Sequence, residues 1–407
     1  MATTRHVLRL ASVFEPAAGA LEGDGVRYDP IGGMQNHTAS LSRALDDRGV
    51  RQTVLTSRLG GVTGVARLGR AATVRRVGVP IRRLRQLWAL CAVPYVLRAR
   101  AVDVVHAHQG EDIGTLLLAL LACRRHGAPL VVTLHTSVAH TVTGRSLRAR
   151  LLRRVGGAVE RAALRRAAAV VVLATRTAGL VRDDGIPPER VHCIPSGFEP
   201  GVFAAGEDDP FPDVPRPRVG YVGRLAPQKR AELAVEALAQ VRQPATLLVV
   251  GDGPDRELVD LTIDRSPVRE RIVRHGFVDH TRIPAVLRSL DVLVLPSAYE
   301  ELGSVLVEAM AVGLPVVASR VGGIPEVVAD EVTGLLVEPG DVAGFAAAID
   351  RVLGDPALAK LLSANALARA TAYGWPALGA RVAALYDDVR SDPGAPDAAP
   401  SPEPVTR

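Results

Sequence analysis

The stretch from Asp291 to Ser319 reads DVLVLPSAYEELGSVLVEAMAVGLPVVAS. It holds an apolar run, Val292–Leu295, a polar loop, an apolar helical pattern that opens near Gly303, and a second apolar run, Val316–Ala318. Short unbroken runs of Val and Leu are how strands buried on both faces read. Strand, helix, strand in that order is the unit of a parallel sheet. The alternation extends both ways along the chain. Upstream strand candidates are His6–Val13, Val102–His106, Leu130–Leu134, Ala169–Leu173 and Val191–Ile194. In the second half Arg218–Val222, Thr246–Val250, Arg271–Val273 and Gly334–Val337 complete the set. Amphipathic patterns over Met34–Asp47, Leu147–Arg166 and Glu232–Val241 fit between them, so the fold class is α/β.

A chain of 407 residues is too long for one ordinary core and predicts two domains. The break is expected in Pro195–Pro217, PSGFEPGVFAAGEDDPFPDVPRP, which is dense in Pro, Gly and Asp and has no period. The expected division is 1–200, a linker 201–217, a second domain 218–375, a helix 376–391 returning to the first domain, and a disordered tail 392–407.

Composition narrows the function. Hydrophobic content of 48% and charged content of 23% are those of a globular protein and exclude disorder over most of the chain. The net charge is +6, yet only Lys229 and Lys360 are lysines, so the basic character is almost all arginine. Aromatic residues are only 3%, whereas nucleic-acid binders interleave them with basic ones, so no nucleic-acid partner is expected. A basic surface suits anionic nucleotides or lipid head groups. Cys91, Cys123 and Cys193 lie far apart without zinc spacing, and no secretory pattern opens the sequence; the expected location is cytoplasmic. The longest apolar stretch, Ile113–Cys123, is too short to span a bilayer.

Chemistry-bearing segments follow the strand candidates. Pro30-Ile31-Gly32-Gly33-Met34 leads into a helix. Glycines there let backbone N–H groups approach a phosphate at the positive helix end; a tight turn packed on the sheet would use them equally. Gly223-Arg224-Leu225-Ala226-Pro227-Gln228-Lys229 offers a planar guanidinium and a compact ammonium that can converge on one pyrophosphate, unless both are solvated surface cations. Val250-Gly251-Asp252-Gly253-Pro254 is a tight turn in which Asp252 reads as structural and Gly251 can line a cleft. His275-Gly276-Phe277-Val278 follows another strand, where backbone groups are placed to read a nucleobase edge. In Leu295–Met310, Glu300 lies in the loop and Glu308 about a turn and a half inside the helix. Carboxylates accept sugar hydroxyls, and the free N–H groups near Gly303 and Ser304 favour anionic oxygens. Glu301 reads as solvated; the plain alternative for Glu308 is support of its helix.

With these motifs in order, Arg218–Pro339 resembles the donor-binding domain of the family 4 retaining glycosyltransferases, of GT-B fold. That pattern has Gly-Arg-Leu-x-x-x-Lys, Gly-Asp-Gly-Pro and Pro-Ser-x-x-Glu-x-x-Gly-x-x-x-x-Glu-Ala-Met, followed here by Gly313-Leu314-Pro315 and Gly322-Gly323-Ile324-Pro325-Glu326. The first half matches through Gly32-Gly33-Met34, Val105-His106-Ala107-His108, Thr133-Leu134-His135-Thr136 and Ile194-Pro195-Ser196-Gly197. The resemblance implies two Rossmann-like domains facing a cleft. It places Arg224 and Lys229 on the donor diphosphate with Gly33 opposite, and Glu308 on the ribose. Glu300, with the backbone of Leu302, Gly303 and Ser304, would hold the transferred sugar, and His135 would touch it from the other domain. Gly32, Gly223, Gly251, Phe277 and Val278 complete the expected donor site. The family often has Phe where Leu302 stands and Asn where Ser196 stands, which blurs the donor identity but changes no chemical role. No Asp-x-Asp motif is present, so a metal-independent reaction is expected, with no cofactor beyond the nucleotide-sugar co-substrate, UDP-N-acetylglucosamine or UDP-glucose.

The acceptor is expected in the first domain. His108-Gln109-Gly110-Glu111-Asp112 should lie at the cleft edge, where Glu111 and Asp112 would attract a cationic aminocyclitol beside His108 and Thr136; the same acids would equally cap a helix. Gly32–Thr38, Arg51-Gln52-Thr53-Val54 and His106–Asp112 are also similar to actinobacterial enzymes of aminoglycoside assembly, which place N-acetylglucosamine or glucose on 2-deoxystreptamine. N-acetylglucosamine transfer is the first expectation. Two alternatives remain: a membrane-associated transferase of lipid or cell-envelope glycans, and an epimerase or sugar-nucleotide sensor on the same fold. The first would dock weakly through Arg145, Arg148, Arg150, Arg153, Arg154, Arg161, Arg165 and Arg166, which otherwise form a solvated face.

Overall fold

The computed structural model describes residues 5–15, 33–58, 64–79, 87–110, 112–138, 152–204, 206 and 208–391. Gly32, Glu111, Arg145, Arg148, Arg150, the side chain of Arg153 and the tail 392–407 lie outside them.

Two parallel sheets form the chain's two halves. The first contains β1 (His6–Ala11), β2 (Arg51–Ser57), β3 (Gly64–Leu68), β4 (Ala72–Val77), β5 (Val104–Gln109), β6 (Leu130–Leu134), β7 (Ala169–Val172) and β8 (Val191–Cys193). Its order is β3-β4-β2-β1-β5-β6-β7-β8, and only β3 runs antiparallel to its neighbour. The second contains β9 (Arg218–Val222), β10 (Thr246–Val250), β11 (Ile272–His275), β12 (Val292–Leu295), β13 (Val316–Ser319) and β14 (Leu335–Val337), in the order β11-β10-β9-β12-β13-β14. Counted from β9 this is the 3-2-1-4-5-6 order of a Rossmann domain.

Strands β2, β3 and β4 escaped the sequence reading. RQTVLTS and ATVRRV interrupt their apolar residues with Arg and Thr, and β3 is an exposed edge, so neither reads as a buried run. β5 also runs further than expected, through Gln109, which carries His108 into the sheet.

The core of the second domain packs Val and Leu of β9, β10, β12 and β13 against flanking helices. Phe203 and Phe211 join that core, and the Arg218 guanidinium donates to Phe211 O and Val214 O, both at 2.7 Å. Much of the Pro-rich stretch is therefore packed onto the second domain. The last helix, Trp375–Ser391, returns to the first domain. Trp375, Leu378, Val382, Leu385 and Tyr386 pack with Val7, Leu41 and Leu45. No helix among the described residues is long and apolar enough to cross a membrane.

Candidate active site

Each sheet reverses its strand order at its centre, between β1 and β5 and between β9 and β12. Ligands of open parallel sheets bind beside such a reversal, at the C-terminal strand ends. The loops leaving β9 and β12 are stitched together there. Ala298 N donates to Gln228 O (2.8 Å), and Lys229 Nζ donates to Glu300 Oε1 (2.5 Å). The same Glu300 oxygen accepts from Ser297 Oγ (2.8 Å). Glu300 is buried, and Lys229 keeps 24% side-chain exposure. The Gly322–Gly323 turn fixes this loop from behind: a Cβ on Gly322 would lie 1.7 Å from Glu300 O and one on Gly323 2.1 Å from Glu301 O.

Gly303, with φ of 79°, turns the loop into the helix Ser304–Ala311. Leu302 is buried and Ser304 half-buried at its N-terminus. Glu308 is buried inside the helix and accepts from His280 Nε2 at 2.9 Å. Burial opposes protonation of His280, but Glu308 outweighs it and raises the His280 pKa. Phe277 is exposed and Val278 half-buried in the loop between β11 and His280.

Arg224 is exposed, and among the described residues its guanidinium has no ion pair, while its carbonyl accepts from Tyr221 (2.9 Å). Gly223 and Gly251 serve close packing of their two turns, since a Cβ on Gly251 would lie 1.9 Å from Gly223 O. Across the cleft, exposed Gly33 opens the helix Gly33–Asp46, and a Cβ there would lie 3.4 Å from Ser304 Oγ. Two helix N-termini, one from each domain, thus meet where Gly33 faces Ser304.

The domains also touch directly. Glu326 accepts from Thr175 N (2.7 Å) and Arg176 N (3.1 Å), the first amides of the helix Thr175–Asp183. Glu301, expected to be solvated, is instead mostly enclosed. It accepts from Thr177 Oγ1 and Tyr299 OH, and burial raises its pKa despite these donors.

On the first-domain side a group of buried histidines lies under the cleft. His135, just past β6, is 7% exposed, and its Nε2 is 3.2 Å from His108 Nδ1. His37 packs edge-on against His135 with centroids 4.6 Å apart, and its Nδ1 is 3.2 Å from Ser196 Oγ. Burial, aided by Arg9, pushes the His135 pKa down to about 3, and burial likewise holds His37, His106 and His108 well below the ordinary imidazole value, which favours their neutral forms.

Comparison with known proteins agrees with this geometry. Residues 31–202 match Glycosyltransferase Family 4, and residues 208–369 match Glycosyl transferases group 1. The chain is 35% identical to the 2-deoxystreptamine glucosyltransferase of Streptomyces kanamyceticus, over 80% of this chain and 90% of that protein. It is 37% identical to the 2-deoxystreptamine N-acetyl-D-glucosaminyltransferase of Streptomyces fradiae, over 81% and 83%. The chain belongs to the family 4 glycosyltransferases. Among solved structures, a sucrose-phosphate synthase from Thermosynechococcus elongatus superposes with a TM-score of 0.80 at 26% identity, covering 95% of this chain and 99% of that one. The two-domain architecture is the GT-B fold.

Two expected acceptor contacts of this glycosyltransferase are corrected by the structure. His108 does not reach the cleft edge: it is a residue of β5, fully buried beneath His135. Asp112 caps the helix Ile113–His126, accepting from Gly114 N (2.9 Å) and Thr115 Oγ1 (2.9 Å), and it also takes the Trp88 indole N–H (2.7 Å). Its buried carboxylate therefore offers no free charge to an acceptor. Thr136 is half-buried at the exit of β6. Of the arginine-rich segment, Arg154, Arg165 and Arg166 are exposed and Arg161 half-buried, while Glu160 faces inward to Ser137 Oγ (2.6 Å) and Val138 N (2.8 Å).

Sequence reading assigned Arg9, His37, His280 and Glu326 no role of their own, although Glu326 and His37 fall inside the motifs named above. A signal existed for one neighbourhood: His106 and His108 alternate along β5 and so share a face.

Proposed function

We propose that this glycosyltransferase moves a hexose, N-acetylglucosamine first among the candidates, from a UDP-sugar to 2-deoxystreptamine in aminoglycoside antibiotic biosynthesis. The observation that carries this is that two relatives, at 35% and 37% identity over about four fifths of the chain, are both named for 2-deoxystreptamine and differ in the sugar.

The geometry suits that reaction. Breaking the bond to a diphosphate leaves negative charge on the departing oxygens. Lys229, Arg224 and the helix N-termini at Gly33 and Ser304 supply positive potential there without a metal. An ammonium has three donors, and Lys229 directs one to Glu300, so two remain for phosphate oxygens. Lys229 thereby couples the diphosphate position to Glu300, whose free oxygen receives sugar hydroxyls. Glu308 keeps one oxygen for the ribose while His280 holds the other. Retention follows if the acceptor hydroxyl attacks the face the diphosphate leaves, with a leaving phosphate oxygen taking its proton.

The test is mass spectrometry of the purified protein with 2-deoxystreptamine, UDP-N-acetylglucosamine or UDP-glucose, and EDTA. A product heavier by one sugar establishes donor, acceptor and metal independence together. Absence of product while calorimetry still detects donor binding would overturn the acceptor assignment.

A further inference from the structure

Arg9 lies in β1, only 1% exposed, and among the described residues it has no carboxylate partner. A buried cation without an anion is costly and calls for a reason. Its Nη1 donates to Ser42 Oγ, Gln52 Oε1 (3.2 Å) and Thr38 O (3.3 Å), while its Nε stays unpaired. Its Nη2 lies 2.5 Å from His108 Nε2.

That last contact determines the positions of two protons. A guanidinium has only donors, so His108 Nε2 must accept. Neutral His108 then carries its proton on Nδ1, which faces His135 Nε2 at 3.2 Å. His135 Nε2 must accept in turn, so neutral His135 carries its proton on Nδ1. That nitrogen has no hydrogen-bond partner among the described residues, which leaves its proton available to a ligand.

We propose that Arg9, acting through His108, locks His135 as a neutral hydrogen-bond donor to the transferred sugar and so excludes it as a general base. Arg9 and His108 are positioning residues in this scheme. The proposal rests on the reading above, in which His135 touches the sugar. It also bears on the rival use of these rings. Nitrogens of His37, His108 and His135 lie within 4.8 Å of one another, close enough to hold a metal ion. A metal bound through the two nitrogens of the His108–His135 contact would need a lone pair from each, whereas the relay places a proton between them.

The experiment is nuclear magnetic resonance of the free, full-length protein carrying ring-labelled histidine. The expected spectrum shows His108 and His135 protonated on Nδ1. In Arg9→Met both should shift toward the Nε2-protonated form, and kcat should fall about tenfold, the loss of one hydrogen bond. His108→Asn, whose amide N–H overlays Nδ1, should keep most of the activity, and His108→Leu should lose it, with circular dichroism confirming that both fold. An Nε2 proton on His135 in the wild type, tautomers unmoved by Arg9→Met, or stoichiometric zinc uptake would each overturn the relay. An intact relay with His135→Ala at full kcat would overturn the sugar contact instead.

Discussion

The Lys229–Glu300 pair gives the most direct test of the donor site. Lys229→Met keeps the stem and removes the charge. Stripping one partner from a fully buried pair costs about 3–5 kcal/mol. Lys229 keeps 24% exposure and Ser297 still donates to Glu300, so about 2 kcal/mol is expected here. In a domain of this size that lowers the melting temperature by roughly 4–8 °C. Glu300→Gln added to Lys229→Met removes the stranded charge and should recover most of the loss, because an unpaired buried ion costs more than a missing pair. Catalysis should not recover. A lost charged contact to the diphosphate predicts a fall in kcat/KM of about 10- to 150-fold. Calorimetric melts and initial rates on both single variants and the double variant close the cycle. Additive stability losses would show that the two groups do not act as a unit. Wild-type kcat/KM in Lys229→Met would remove Lys229 from the mechanism.

Two further outcomes follow from single contacts. Asp112→Ala should cost about 2–4 kcal/mol in a urea titration, combining a lost helix cap with an unpaired buried indole N–H, and should leave the KM for the acceptor unchanged; a raised acceptor KM in a stably folded variant would restore the acceptor role. Because Glu308 raises the His280 pKa above its ordinary 6.5, the stabilisation from this pair is complete below that value and is lost as pH rises through the folded-state value. The melting-temperature gap between wild type and His280→Gln should therefore be widest in mild acid and close toward alkaline pH, and a gap that widens with pH contradicts the assignment.

Sequence alone determined whatever depends on near neighbours along the chain. The Val and Leu runs of β9, β10 and β12 marked a parallel α/β sheet, because strands buried on both faces tolerate few polar residues. Lys229, Glu300 and Glu308 stood out because a strand end followed by a helix places such groups at one mouth. Tertiary structure decided what depends on faces brought together from afar. Residues Arg9, His108 and His135 come from three different elements and meet only when β1, β5 and β6 pair. Glu326 finds the helix at Thr175 from 151 residues away, and His280 reaches Glu308 across 28. The fate of Asp112 was open for the same reason: an acid at a strand-to-helix turn serves a ligand or a helix equally well. Only the arrival of the Trp88 indole and the helix amides at its oxygens selected the cap.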